Sequence, residues 1–484
     1  MSIRNRRHPI IRELKADLDR EKLSRRDFLR YSTLLGLSGT ASCRMAGLLG
    51  PDNAAAENIQ QGRTVRIATS IPGITHPAHL AKVESANILR NIAEYLTFID
   101  CLSMTHPYLL KNWQASEDLK IWTLNLRKRI KFSNGDLLTA DDVVFSMNQW
   151  LNPAGGSVLL RIMGSYLDPG GVEKTDPYQV KLHLKRAEVA LPEHLAHHAA
   201  MILNHRTFEG DFIRTPHGTG PYTLEFYRKN EGALLKNRKA YWRKGTKRNP
   251  FEFAETIEFV DMRSKIPSRF FKFRADEMHM IDPTTSGGMA AYKALNDNPR
   301  VDIRPVSTTQ SPPVLRMRVD SKPWNDKRVR MALMLCQNRQ KILGLAYFKQ
   351  GRTGHDFRMH PMTVEYFKDP MPLYDPQQAR RFLNEAGYFN GLNVNLTVGY
   401  EWTDLVRYAK ILKQEAKPGG FNIKIHPVST QQYWKNWGRV GLSFAPWIHQ
   451  PRNEMRLYHT VVENSNSMSV PWIGVLLAVR LINC

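Results

Sequence analysis

Four cysteines in 484 residues, at positions 43, 101, 336 and 484, show no CxxC spacing and no paired histidines nearby. That excludes a zinc module and a disulfide scaffold alike. No apolar run reaches the roughly 20 residues that span a bilayer, and a mean hydropathy of −0.43 excludes a multi-span membrane protein. GxSxG, P-loop and paired-carboxylate motifs are missing. Glu193-His194-x-x-His197-His198, with His205, lacks HExxH order and a carboxylate at ligand spacing; it reads as histidines on an exposed helix, and no metal is expected. Acidic residues are scarce, 45 against 69 Lys and Arg, giving a net charge of +24. The excess is scattered, +5 in residues 1–56 and +19 beyond. With no arginine-rich helix, RNP-like strand or helix-turn-helix, it reads as a solvated basic surface, and nucleic acid is not an expected partner. No repeat and no low-complexity linker is visible. What remains, 42% hydrophobic and 10% aromatic, is a globular chain long enough for two to four domains.

Ser24-Arg25-Arg26-Asp27-Phe28-Leu29-Arg30 precedes a weakly apolar stretch, Tyr31 to Gly50, interrupted by Arg44. The segment resembles a twin-arginine export signal, with Ala54-Ala55-Ala56 as its cleavage site. Residues 1–56 are therefore expected to be a leader. Lipidation at Cys43 is the lesser alternative, because Thr40-Ala41-Ser42 lacks the usual leucine. In an exported chain Cys101 and Cys336 could meet oxidant, but Cys336 falls in the apolar phase of a helix and reads as a buried free thiol.

Thr64 to Thr69 alternates as a strand and stops at Pro72-Gly73. Glu84 to Leu96 has helical spacing. Ile121 to Leu126 alternates again, Ser133-Asn134-Gly135-Asp136 is a turn, and Thr139 caps a helix through Trp150. Strands follow at Gln179–Leu184, Tyr222–Tyr227 and Ala233–Lys236. Later, Leu315–Val319 reads as a strand, Asp326–Leu345 as one helix, and Pro376–Ala386 as a helix capped by Asp375. Strand Asn393–Gly399, helix Thr403–Glu415 and strand Asn422–His426 complete an α/β pattern.

Ordered blocks now carry a resemblance. Trp122-x-Leu124-x-Leu126-Arg127-Lys128 leads to Lys131-Phe132-x-x-Gly135-Asp136 and Thr139-Ala140-Asp141-Asp142-Val143-Val144-Phe145-Ser146. Gly218-Thr219-Gly220-Pro221-Tyr222, Asn237-Arg238-Lys239-Ala240-Tyr241-Trp242 and Lys322-Pro323-Trp324-x-Asp326-x-Arg328-Val329-Arg330 follow in order. Together they resemble the family 5 solute-binding proteins of ABC importers, the dipeptide, oligopeptide and nickel type. The resemblance implies a two-lobed, type II periplasmic-binding-protein-like α/β fold with hinge strands. The first lobe would span 57–272, with a subdomain inserted at about 101–188, and the second 273–460. It also implies a monomeric periplasmic receptor for a peptide or small solute, partnered by an inner-membrane permease, with no cofactor and no catalysis. An exported metal-dependent hydrolase is the alternative.

Departures from the family pattern are informative. Arg129 stands where a glycine is usual, Ala275-Asp276-Glu277-Met278-His279 replaces a Gly-Glu-x-Asp turn, and residues 461–484 read as an atypical, truncated or frameshifted tail. A match ending on Pro451 puts Trp447 where peptide-binding members carry the aspartate that holds an α-amino group. The expected ligand-binding residues are Thr75, His76, Tyr95, Arg316, Trp402, Asp404, Trp447 and His449.

Overall fold

The computed structural model of the chain describes residues 8–20, 22–23, 25–46, 64–80, 83–100, 104–243, 254–261, 278–281, 313–350, 352–353, 373–436, 439–446 and 479–480. The chain divides into two compact units, 1–285 and 286–484.

In the first unit the strands are β1 (Thr64–Thr69), β2 (Thr97–Ile99), β3 (Thr105–Pro107), β4 (Leu110–Ala115), β5 (Ile121–Leu126), β6 (Val172–Asp176), β7 (Gln179–His183), β8 (Tyr222–Arg228), β9 (Gly232–Asn237), β10 (Thr256–Asp261) and β11 (Met280–Ile281). They form a mixed sheet in the order β11-β1-β10-β9-β8, an antiparallel sheet β4-β5-β7-β6, and the pair β2-β3. Alternation in β5 turns Trp122, Leu124 and Leu126 inward, as a strand with one buried face requires. Over that face lies the helix Ala140–Leu151, which buries Val143, Met147 and Trp150. Its start is fixed by a capping box, in which the Thr139 N–H donates to Asp142 Oδ2 at 2.8 Å. β11 pairs with β1, so the first unit reaches past residue 272, where the sequence placed its end.

Three local expectations change. The helix expected to Leu96 ends at Leu89, because the next carbonyls are taken elsewhere: Gly220 N–H donates to Ile92 O at 2.7 Å and Tyr222 N–H to Asn91 O at 3.0 Å. The histidines read as exposed lie inside: Glu193, His194 and His197 are buried, and the helix is only Leu191–His194. His194 Nδ1 and the Tyr166 hydroxyl are 2.6 Å apart, and the two rings stack. Arg129, at the usual glycine position, holds φ of +65°, a left-handed conformation that costs an L-residue with a side chain about 1 kcal/mol relative to glycine.

Residues 8–46, read from sequence as leader, are folded in the first unit. Helices Ile10–Asp19, Arg25–Leu34 and Gly39–Met45 share a small core of Phe28, Leu29, Cys43 and Ala46 with Met104. The Ala54–Ala56 cleavage site lies outside the described residues.

In the second unit, β12 (Pro313–Met317), β13 (Leu392–Gly399), β14 (Phe421–Val428) and β15 (Leu442–Pro446) form a sheet in the order β12-β15-β13-β14. β13 runs parallel to β14 and β15, while β12 is antiparallel to β15. Helix Thr403–Ala416 places Leu405, Tyr408 and Leu412 on the sheet core, with Leu396, Val398, Phe421 and Phe444. The single helix expected over Asp326–Leu345 is two, Lys327–Leu335 and Arg339–Ala346. The break comes at Cys336, and Asn338 starts the second helix by accepting from Lys341 N–H at 3.1 Å. Cys336 is a buried free thiol, pushed up to about 12 by burial.

Candidate functional site

In open sheets with parallel strands, ligands gather at the carboxyl ends of those strands. Three such ends form one row in the second unit. Thr397 pairs with Ser443, and Gly399 with Val428, so the ends of β13, β14 and β15 are level. Short connections leave from this row. Tyr400, Glu401 and Trp402 lead into the helix Thr403–Ala416, and Ser429 leads into Thr430–Asn436. Glu401 Oε2 accepts from Thr430 N–H at 2.9 Å, which ties the two connections together. β15 ends at Pro446, one residue before Trp447.

Two expected residues meet here through partners that the sequence did not single out. The Trp402 ring stands edge-on to Tyr433, with centroids 4.9 Å apart. The Tyr433 hydroxyl donates to Ser443 Oγ at 3.2 Å, and Arg316 Nη1 reaches the same oxygen at 3.5 Å. Trp402, Tyr433, Ser443 and Arg316 therefore form a continuous chain of contacts. Burial lowers the Arg316 guanidinium to about 10, so it stays charged at neutral pH. Gly399 makes room for the indole: a Cβ there would stand 2.7 Å from Trp402 Cε3. Tyr433 lies within the helix Thr430–Asn436, five residues after β14 ends at Val428, and no motif or spacing in the sequence marks it.

Asp404 is not part of this chain of contacts. Its carboxyl lies beside Tyr347 and Arg407 and is raised chiefly by burial, which fits an internal helix-start residue better than a ligand contact. Trp447 and His449 lie outside the described residues.

The first-unit candidates divide similarly. Thr75 is exposed, and its carbonyl accepts from Phe212 N–H at 2.8 Å. His76 is buried, caps the turn Pro77–His79 by accepting from Ala78 N–H at 3.0 Å, and stacks on His79 at 4.6 Å. Phe208 meets it edge-on at 4.9 Å. These contacts make His76 a structural residue. Tyr95 packs against two cores and donates to His198 O at 3.4 Å; burial pushes its hydroxyl up to about 12.

His76 gives a pH prediction. Burial, with His79 adding to it, lowers the imidazole from 6.5 to about 4, opposed by a hydrogen bond with Gln149. The unfolded chain then binds a proton that the folded chain refuses, so stability is present above pH 6.5 and is lost as pH falls toward 4. His76→Asn keeps a capping oxygen and cannot titrate. Denaturant midpoints across that window should show a shallower acid loss in the variant; parallel curves would remove the assignment.

The ordered sequence blocks serve the fold. Arg238 donates to four carbonyls: Gly218 and Gly220 at 3.0 Å, Lys131 at 3.2 Å and Phe132 at 3.1 Å. Glu94, buried and not singled out from sequence, accepts from Trp242 Nε1 at 2.7 Å and from the Tyr241 hydroxyl at 2.5 Å. Trp324 is core.

Residues 105–469 match the family model of bacterial extracellular solute-binding proteins, family 5. The chain belongs to this family. Among family 5 relatives, the glutathione-binding protein GsiB of Salmonella choleraesuis (strain SC-B67) is 25% identical over 334 residues, covering 67% of this chain and 61% of its own length. The dipeptide-binding protein of Escherichia coli (strain K12) is 28% identical over 320 residues, covering 60% and 56%. The chain thus spans less than two thirds of the length of these relatives. The crystal structure of a dipeptide-binding protein from Pseudoalteromonas sp. SM9913, in complex with Met-Leu, aligns with a TM-score of 0.71 at 18% identity, covering 84% of this chain and 85% of that one. The fold class is the type II periplasmic-binding-protein fold expected from sequence. Family 5 members are binding proteins. The hydrolase alternative gains no support, and among the described residues no group of three or more His, Cys, Asp or Glu is placed to hold a metal. Nor is any described helix long and apolar enough to cross a membrane.

Proposed function

We propose that this chain is a periplasmic receptor that captures a small polar organic solute, peptide-like or of another class. It passes the solute, as a monomer and without chemical change, to an ABC importer permease in the inner membrane. The observation that carries this reading is the row of three parallel strand ends, with Trp402 and Tyr433 beside them and Trp447 next after β15. Names among the relatives, glutathione-binding and dipeptide-binding, point to the same ligand range. Trp447 in place of an acidic anchor removes a charge-assisted hydrogen bond of about 1.5–3 kcal/mol and offers an indole face instead. A free α-amino group is then not the main handle; Arg316, held inside the same unit, favours acceptor groups on the ligand.

Calorimetry with glutathione, simple dipeptides and non-peptide polar metabolites tests this. A Kd of about 1 µM corresponds to about 8.2 kcal/mol, and ligand at about 100 times Kd should add about 2.7 kcal/mol of stability without turnover. Trp447→Ala should weaken binding by about 1–3 kcal/mol, as removal of other stacking platforms does, with the melting transition unchanged. Tight binding of simple dipeptides that is indifferent to Trp447→Ala would place the site elsewhere.

A further inference from the structure

We infer that residues 8–46 are a docked cap on the first unit, and that this docking competes with recognition of the Arg25–Leu29 stretch by an export apparatus. The second half rests on the export-signal reading of the sequence; the first rests on geometry alone.

The seam is built with specific partners. Trp113 Nε1 donates to Leu34 O at 2.8 Å in a buried setting, Thr105 N–H to Thr33 Oγ1 at 3.3 Å, and His8 Nε2 lies 3.2 Å from Ser116 O. Arg30 Nε stands 3.7 Å from Glu193 Oε1, with both side chains almost wholly buried. Within the cap, Ser32 and Thr33 are fully buried, yet their hydroxyls are satisfied by Ser42 Oγ, Leu29 O and Arg30 O. Two glycines allow the approach. A Cβ on Gly36 would stand 2.9 Å from Trp113 O, and one on Gly39 2.8 Å from His106. Buried polar groups that find partners across a seam mark a defined interface, since each orphaned one would cost about 1–3 kcal/mol.

The consequence follows from which residues are covered. Arg25 is exposed, but Phe28 and Leu29 of the same stretch are buried against Met104. A receptor can touch the basic residue while the cap is docked, and it reaches the two apolar residues only after release. Folding of the first unit therefore opposes presentation of the stretch, and release becomes a step in export.

Cys43, buried in the cap core, reports docking in the full-length precursor. Maleimide labelling, resolved by peptide mass spectrometry, should be at least tenfold slower at Cys43 in native precursor than in unfolded precursor. Trp113→Phe, which removes the donor but keeps a ring, and Glu193→Gln should each speed labelling severalfold. In pulse–chase, the same two variants should be exported at least twice as fast as the parent, while Arg25→Lys with Arg26→Lys should trap the precursor. Native labelling as fast as unfolded labelling overturns the docked cap. Slow labelling with unchanged export of both loosened variants overturns the competition. Unimpeded export of the double lysine variant overturns the export reading and leaves the Cys43 result to decide docking.

Discussion

Gly218→Ala should abolish the stable first unit. A Cβ at Gly218 would stand 2.0 Å from Ile92 O and 2.6 Å from Ile92 C, and both are backbone atoms that cannot swing aside as a side-chain tip would. Relief requires moving either the turn or the 91–93 segment. Either movement breaks a connected set of hydrogen bonds: Gly220 N–H to Ile92 O, Ser133 N–H to Gly218 O, and Arg238 to the Gly218 and Gly220 carbonyls. Overpacking alone costs about 1–3 kcal/mol, and losing this set with it should bring the total to about 4–6 kcal/mol, a large share of a domain's stability. Urea titration of purified protein should show the first transition lost or shifted below half its parental midpoint. Gly170→Ala is the control, since a Cβ there would meet nothing within 4 Å, and it should stay within about 0.5 kcal/mol of the parent. Similar midpoints for the two variants would refute the account of the turn.

The second large effect is expected at Glu94. Its carboxylate takes hydrogen bonds from Tyr241 and Trp242, with Tyr108 and Thr219 beside it, in a nearly solvent-free setting that raises its pKa through burial. Glu94→Ala leaves at least two donors facing a void, at about 1–3 kcal/mol for each buried group left unsatisfied, so a loss of about 3–5 kcal/mol is expected. Glu94→Gln retains one acceptor oxygen and should lose less than half of that. Trp242 fluorescence would follow the local change and denaturant midpoints the global one. Losses below about 1 kcal/mol in both variants would show that the tyrosine and tryptophan are held by packing.

The blocks that identify the family in the sequence are the ones that build this region, which is why the fold was legible and the ligand was not. Gly218, Gly220, Arg238, Tyr241 and Trp242 interact with backbone or with the buried Glu94, so their types are dictated by sterics and donor count at fixed positions. Periodicity found β5, β14 and the Thr403–Ala416 helix, where one face is more buried than the other, and β13, whose first half alternates before both faces become buried. It failed at Ile92 and at Cys336, both buried and so hydrophobic in pattern: the Ile92 carbonyl is taken by Gly220 N–H, and at Cys336 one helix ends just before the Asn338 cap starts the next. At the candidate site, His76 and Tyr95 were chosen for chemistry that could serve a ligand, and packing uses them internally. Tyr433 and Ser443 were passed over because one hydroxyl or one aromatic has no spacing rule to announce it. Only the contact chain from Trp402 to Arg316 makes their placement readable.

The position of β1 has a consequence for synthesis. Its partners are β10 and β11, and Thr64 meets Thr256 across a separation of 192 residues. At about 5–20 residues per second, a ribosome needs roughly 10–40 s to supply that partner after β1 has been made. Through that interval β1 is an unpaired edge, while the β4-β5-β7-β6 sheet, whose strands lie within residues 110–183, has every strand it needs once residue 183 has emerged, before β10 is made. The β4-β5-β7-β6 sheet can therefore condense on the nascent chain, and the mixed sheet around β1 is complete only after residue 281 has emerged.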